Sequence, residues 1–347
     1  MTIVNRYSRA ATTLLFLFIA AIVSAIVAGC GDAGREHFKL DGATMGTHYH
    51  ITVVERAELA TNQRELQQAI DQQLALINEQ MSTYRDDSEL SQLNAAPVDQ
   101  WVDVSANLFD VLVMSLELGW LSNGAFDITV GPLVNLWGFG PGGESGKVEV
   151  PSAARIAEQL ALTGFQAIEF NLANSDIRKR RAVTLDLSAI AKGYAVDKVA
   201  ELLIYAGYTD FMVEIGGELR LQGNSPRGTP WRIAIERPEA ATLGRAHAAV
   251  SISNAGMATS GDYRNYFELD GKRYSHTIDP TTGYPIDHAL ASVTVIADSA
   301  AYADGLATAI NVMGPELGMQ LADQQGVAVY MIVKTEQIGR ASCRERV

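Results

Sequence analysis

From Ile168 onward the chain is built of short strand-like runs that come in groups instead of alternating regularly with helices, and this order limits the possible folds. The runs Ile168–Asn171, Val183–Leu187, Phe211–Ile215, Leu219–Gln222, Trp231–Glu236, Ala249–Ser253, Tyr266–Leu269, Ser292–Ile296 and Val327–Val333 are interrupted by helical patterns only near Lys192–Ala206, Ala300–Val312 and Glu316–Asp323. A doubly wound parallel sheet needs a crossover helix between successive strands, so the grouping argues against one. Asp270–Gly271, between two strand-like runs, is a dipeptide suited to a two-residue hairpin turn. The pattern predicts an α+β fold with mixed, largely antiparallel sheets and packed helices.

Upstream, a strand is expected at about Tyr49–Val54. Leu66, Ile70, Leu74, Ile77 and Met81 then recur at three- and four-residue spacing, with Asn62 as cap and Glu65 three places later, the signature of an amphipathic helix. A second helix is expected over about Asn107–Leu121, stopping at Gly124, and a third over about Ser152–Leu162.

The ends read differently from the body. Arg6 and Arg9 precede an apolar run, Leu14–Val27, that stops at Ala28, Gly29 and Cys30. Small residues before a single Cys suit a lipoprotein signal, cut at Gly29–Cys30 and leaving Cys30 to carry lipid. The apolar run is shorter than the roughly 20 residues that span a bilayer. Residues 1–29 are thus expected to be a signal peptide, 30–37 a tether and 38–337 the folded domain. Ile338–Val347 resembles translated sequencing adapter and is expected to be foreign.

With both ends set aside, no cysteine is left for a disulfide, a thiolate metal site or a nucleophile. Removing five arginines and Glu345 with them takes the net charge from −13 to −17, which argues against a nucleic-acid surface. The roughly 300 remaining residues can form one large domain or two intimately packed lobes.

Gly138, Gly140 and Gly143 fit G-x-G-x-x-G, but Pro141 lies among them and no strong helix follows, and Gly146–Lys147 lacks the rest of a P-loop. The stretch reads as a flexible loop that can cover a ligand, since Phe126–Gly140 leads into it with aromatic residues suited to stacking.

Three segments carry chemistry. In Leu185–Val199 a strand, a small-residue turn and a helix follow one another. Free N–H groups at the helix N-terminus favour an anion such as phosphate, Lys192 adds a positive charge, and Asp186 can accept from ribose or ring N–H groups. An ordinary strand-to-helix connection with a capping Asp and a solvated Lys fits this segment equally well. Asp304 and Thr308 are four residues apart on an otherwise apolar helix, and their oxygens suit Mg²⁺ better than zinc. A lone Asp on a mostly buried helix needs a partner, which a cation supplies. In Gly271–Pro285, His276 and Asp279 stand before a Pro-Gly turn, with a structural histidine as the alternative. Asp262 and Arg264, upstream, fit a surface salt bridge equally well.

Taken together, TMGTHYHI (Thr44–Ile51), MSTYRDDSELSQLN (Met81–Asn94), AFDITVGPLVNLWGFG (Ala125–Gly140), LDLSAIAKGYAVD (Leu185–Asp197), VEIGGELRLQG (Val213–Gly223), SGDYRNYF (Ser260–Phe267), YSHTIDPTTGYP (Tyr274–Pro285) and ADGLAT (Ala303–Thr308) resemble the FAD:protein FMN transferases, the ApbE-type lipoproteins. The likeness runs in order over nearly the whole chain after the signal.

This resemblance implies two lobes with FAD between them and a Mg²⁺-dependent transfer of FMN from FAD to a Thr or Ser hydroxyl of an acceptor protein, releasing AMP. It implies that Met45, Tyr84, Ala125, Phe126, Asp127, Asp186, Lys192, His276 and Thr277 touch the flavin nucleotide. Ala189, through its carbonyl, would join Asp304 and Thr308 at the metal. His276 is the candidate general base, with Asp279 or a metal-bound water as substitutes.

Implied acceptors are periplasm-facing subunits of sodium-pumping NADH:quinone oxidoreductase or of Rnf-type complexes. The implied location is the periplasmic side of a bacterial membrane, the inner one favoured over the outer. Two rival readings are an FAD pyrophosphatase yielding FMN and AMP, and a non-catalytic flavin-binding lipoprotein.

Overall fold

The structure is a computed structural model that describes residues 34–59, 62–141, 149–238, 245–263, 265–334 and, for the backbone alone, 341–346. The signal run, its cut at Gly29–Cys30, the lipid site Cys30, most of the Gly-rich loop and Arg264 lie outside the described residues.

The elements in chain order are strands β1 (His37–Thr44) and β2 (Thr47–Val54), helices α1 (Gln63–Met81) and α2 (Glu89–Ala95), strand β3 (Trp101–Asp103), helices α3 (Ala106–Leu121), α4 (Gly131–Leu136) and α5 (Ala153–Leu160), and strands β4 (Ile168–Asn171) and β5 (Asp176–Lys179). Helix α6 (Ala191–Tyr205) follows, then strands β6 (Phe211–Ile215), β7 (Glu218–Gln222), β8 (Trp231–Glu236), β9 (Ala246–Ile252), β10 (Ala255–Gly261), β11 (Tyr266–Leu269), β12 (Lys272–Ser275) and β13 (Leu290–Ala297). Helix α7 (Ala300–Gln325) and strands β14 (Ala328–Lys334) and β15 (Ala341–Arg346) complete the chain. An eight-stranded sheet runs β1-β2-β6-β7-β10-β13-β14-β15, beside a three-stranded sheet β3-β5-β4 and the ribbons β8-β9 and β11-β12. Neighbouring strands are antiparallel throughout, as the grouping of strands predicts.

Local signals explain several elements. Asn62 caps α1 by accepting from the Glu65 N–H at 3.3 Å, and the helix buries the expected stripe from Leu66 to Met81. Asp270 and Gly271 both have positive φ, so the β11-β12 hairpin turns where its dipeptide allows. Arg35, in the expected tether, bonds to Asp210, Asn224 and Ser225, so the fold takes hold before Phe38.

One expectation changes and one is borne out. Val183–Leu187 is extended but joins no sheet. The Leu185 N–H and carbonyl are instead bonded by the Asn94 side chain at 2.7 and 2.9 Å, and the Asp186 N–H by the Ile128 carbonyl. The two helices expected at 300–312 and 316–323 form as two segments of α7, divided by the non-helical Gly314 at φ 78°. Pro315 has no N–H to give the Asn311 carbonyl, and the His288 ring takes that place with a donation at 2.8 Å.

One large core joins β1, β2, α1, α3, α6, β13 and α7 and extends to the three-stranded sheet. A smaller cluster of Leu219, Leu221, Trp231, Ile235, Met257 and Ile332 packs the β8-β9 ribbon against the large sheet. Helices α6 and α7 sit on the sheet with their N-termini adjacent, which places the site.

Candidate functional site

The N-terminal turns of α6 and α7 touch without side chains between them. A Cβ on Gly193 would overlap the Ala300 carbonyl, and one on Gly256 would overlap the Ser299 backbone, so both positions require glycine at this spacing. Asp197 of α6 then receives the Ala300 and Ala301 N–H groups at 2.9 and 2.8 Å, and Ser299 caps the same helix through the Tyr302 N–H. This contact brings Lys192 on α6 beside Asp304 on α7.

Asp304 is 4 % exposed, and its Oδ2 accepts from the Gly193 N–H at 3.1 Å. Gly193 is the third residue after the N-cap Ile190, so its N–H has no acceptor within the helix, and Asp304 caps it from α7; among the described residues no backbone N–H donates to the Ala189 carbonyl, which precedes the cap. The Lys192 N–H likewise has no backbone acceptor. Asp304 thus caps the first turn of α6 from the neighbouring helix, and the Lys192 N–H stays open at the cleft wall. Thr308, one turn along α7, lies 3.2 Å from Ser260 through their hydroxyls.

Burial pushes the Asp304 carboxyl up to about 7, against the opposing pull of the Lys192 ammonium. For Lys192, burial alone would lower the pKa, but Asp304 and Glu218 outweigh it and hold the ammonium above its ordinary range. Lys192 pairs with Glu218 at 2.8 Å and keeps 30 % side-chain exposure, because it borders open space.

That space is a cleft of about 620 Å³. Its lining gathers Tyr84, Ala125, Phe126, Asp127, Asp186, Ala189, Lys192, His276, Thr277, Asp304 and Thr308, eleven of the twelve expected nucleotide and metal positions. The twelfth, Met45, is the exception. It sits at the tip of the β1-β2 hairpin with φ 48° and lines a separate cavity against α1 with Tyr49, Gln67 and Asp71. Thr47, in the same hairpin, lies against Gly216, which does line the main cleft.

The rim residues differ in how committed they are. Both oxygens of Asp127 are engaged, Oδ1 by the Thr129 N–H and hydroxyl and Oδ2 by the Phe165 N–H, so this carboxylate braces the wall. Burial raises its pKa against those bonds. Asp186 accepts from the Ser188 N–H at 2.8 Å through Oδ1. Tyr84 is 70 % exposed at the mouth. Phe139, which also lines the cleft, begins a ladder of stacked rings through Phe267, Tyr274 and Trp137. Gly140 lines the cleft too, so the first part of the Gly-rich loop borders it as expected.

His276 leaves β12 with its backbone N–H on the Asn265 carbonyl at 3.1 Å and its Nδ1 on the same oxygen at 2.9 Å. A carbonyl only accepts, so Nδ1 carries the proton and Nε2 presents a lone pair. Burial holds the imidazole pKa below its usual value. Thr277 is met by the Asn311 side chain of α7. Asp279, the alternative base, is outside the cleft lining; it accepts from the Thr281 N–H and the Thr281 and Thr282 hydroxyls to close its own turn. Asp262 pairs with Lys334 at 2.6 Å.

Sequence reasoning missed Glu218, Gly193 and Asp197. Glu218 follows Gly216 and Gly217, both at positive φ, in a β6-β7 turn that aims it at the cleft. The double glycine was the available signal. Gly193 and Asp197 act through contacts a hundred residues away, which no local pattern carries.

An oxygen-rich floor, an open helix N-terminus with a lysine, and a wall of flat rings suit an anionic nucleotide with an aromatic ring system. Comparison with known proteins agrees. The ApbE family profile matches residues 45–331. A protein of Vibrio cholerae named FAD:protein FMN transferase is 46% identical over 313 residues, 90% of this chain and 91% of its own; its namesake from Haemophilus influenzae is 40% identical over 322 residues, 92% of each. Among solved structures, the flavin transferase ApbE of V. cholerae superposes with a TM-score of 0.81 at 43% identity, covering 90% of this chain and 96% of that one. The apo flavinyl transferase ApbE of Pseudomonas stutzeri gives 0.81 at 40% identity, covering 90% and 95%. The chain is a member of the ApbE family.

Proposed function

We propose that the cleft binds FAD and that the protein transfers its FMN moiety to a Thr or Ser hydroxyl of an acceptor protein, releasing AMP. The observation that carries this is the junction of α6 and α7: an open helix N-terminus with Lys192, capped at the Gly193 N–H by a buried carboxylate, next to an Ala189 carbonyl that among the described residues takes no backbone N–H. The names of the relatives supply the reaction class.

In the transfer, the acceptor oxygen forms a bond to the FMN phosphorus. The bond from that phosphorus to the bridging oxygen breaks, and AMP leaves with the bridging oxygen. Lys192 and the free N–H at the start of α6 hold the pyrophosphate and offset its charge. His276 Nε2 takes the hydroxyl proton; the Asn265 carbonyl fixes the tautomer that makes this atom an acceptor. Phe139 and the rings behind it offer a flat surface for a ring system, and Tyr84 sits where the acceptor must enter.

The donor set fits Mg²⁺. Asp304, Thr308 and Ala189 all line the cleft, and their carboxylate, hydroxyl and carbonyl oxygens are hard donors. Lys192, Glu218 and Asp304 together carry a formal charge of −1, which would repel a pyrophosphate, so a divalent cation is the natural counterpart. When bound there, Mg²⁺ would withdraw charge from the pyrophosphate oxygens.

We place the protein on the periplasmic face of the inner membrane, held by lipid on Cys30, with sodium-pumping NADH:quinone oxidoreductase or Rnf-type subunits as acceptors. The lipoprotein pattern and the family resemblance support this.

The test incubates the protein with FAD and Mg²⁺, with and without a Thr-containing acceptor domain, and follows products by mass spectrometry. Covalent flavin on the acceptor with AMP is expected. Free FMN and AMP regardless of acceptor would make it a pyrophosphatase, and intact FAD a binding protein; either overturns the proposal.

A further inference from the structure

Glu218 is a buried carboxylate that the reaction above does not use. It is 5 % exposed, its Oε1 pairs with the Lys192 ammonium at 2.8 Å, and its Oε2 is buried with no partner. A carboxylate buried with half its hydrogen-bonding capacity unmet is costly, and folding alone gives no reason to keep it. Among the described residues its one polar contact is Lys192.

The arrangement around Lys192 supplies a reason. Its ammonium is flanked by two buried carboxylates, Glu218 and Asp304, and both act on its charge. The lysine stem is packed by Gly216, on the turn that also delivers Glu218. A lysine side chain is a long, flexible tether for a point charge. If Glu218 did not hold that charge, Asp304 would be the remaining buried carboxylate beside it, and an ammonium on Asp304 competes directly with a divalent cation.

We infer that Glu218 is a positioning residue which draws Lys192 away from Asp304 and so keeps that carboxylate open to the cation. The inference rests on the metal assignment proposed above. It explains why the two charges on α6 and α7 can adjoin without cancelling. It also explains the glycines before Glu218: with φ of 62° and 109° at Gly216 and Gly217, they let the chain turn sharply enough to bring the carboxylate over the start of α6.

The test measures Mn²⁺ binding to the full-length chain in detergent by electron paramagnetic resonance, with Mg²⁺ as competitor and thermal unfolding as a fold control. Wild type should bind Mn²⁺ and Asp304→Ala should not. Glu218→Gln, which keeps shape but loses charge, should bind at least about tenfold more weakly, because Lys192 then turns to Asp304. Glu218→Gln combined with Lys192→Met should recover the affinity of Lys192→Met alone. Unchanged binding in Glu218→Gln overturns the inference. So does a loss that Lys192→Met fails to restore, since Glu218 would then be a ligand or a packing residue. Wild-type binding that is absent, or indifferent to Asp304→Ala, overturns the metal assignment itself and this inference with it.

Discussion

At the cleft floor, Lys192, Glu218, Asp304 and Thr308 come from α6, β7 and α7 and meet because two helices touch through a glycine. At the rim, His276 and Thr277 come from a single stretch after a hairpin, with their backbone bonds made to Asn265, Ser275 and Ile286 close by in sequence. The floor is a tertiary construction with unfilled oxygens, and the rim is a local one whose polar groups are largely satisfied. The difference matches the division of work proposed above. In the proposed reaction, charge would be managed where packing forces like and unlike groups together, and a proton handled where turn chemistry can orient one ring.

The comparison breaks first at Asp304. Asp304→Ala should lower the single-turnover transfer rate by about 10³-fold or more, since it removes the one carboxylate on the floor face of α7. A loss of less than tenfold would mean that the floor does not manage the charge.

The rim is tested next. His276→Gln should cost about 10²–10⁴-fold in single-turnover rate with the fold intact. Burial disfavours the imidazolium, so the wild-type rate should persist below the ordinary histidine value of 6.5 and fall as pH drops through the lowered pKa. The variant should lack that acid limb, and an unchanged profile would remove His276 as the base.

Gly193→Ala separates packing from chemistry. The new methyl meets the Ala300 carbonyl, so α6 and α7 must shift, at about 1–3 kcal/mol in urea unfolding. Transfer should weaken with it, although no polar group has changed. The smallest effect belongs to Asp279→Ala, which frees the Thr281 and Thr282 donors at about 1 kcal/mol and should leave the rate within about threefold. A larger loss of rate would return Asp279 to the catalytic group.

What the sequence made legible follows the same division. The cap at Asn62, the stripe from Leu66 to Met81 and the Asp270–Gly271 hairpin are local, and each forms as its residues predict. Asp304 and Thr308 were legible because a carboxylate on an apolar helix is anomalous wherever it falls. The break at Gly314 was visible as two helices, but that His288 replaces the missing donor was not. Gly193 and Asp197 stayed hidden because their contacts exist only once distant segments meet, and for Glu218 the glycine pair before it was the one local signal. Met45 was expected at the nucleotide by resemblance, and its hairpin tip lines another cavity.

The central claim is that the floor is an oxygen site for Mg²⁺ that enables FMN transfer. The most direct measurement is a single turnover of chelator-treated protein with FAD and an acceptor, quantifying AMP and flavinyl acceptor as Mg²⁺ is restored. No product is expected in chelator and, on adding Mg²⁺, equimolar AMP and flavinyl acceptor. Full transfer in chelator, or by Asp304→Ala at low Mg²⁺, would contradict it.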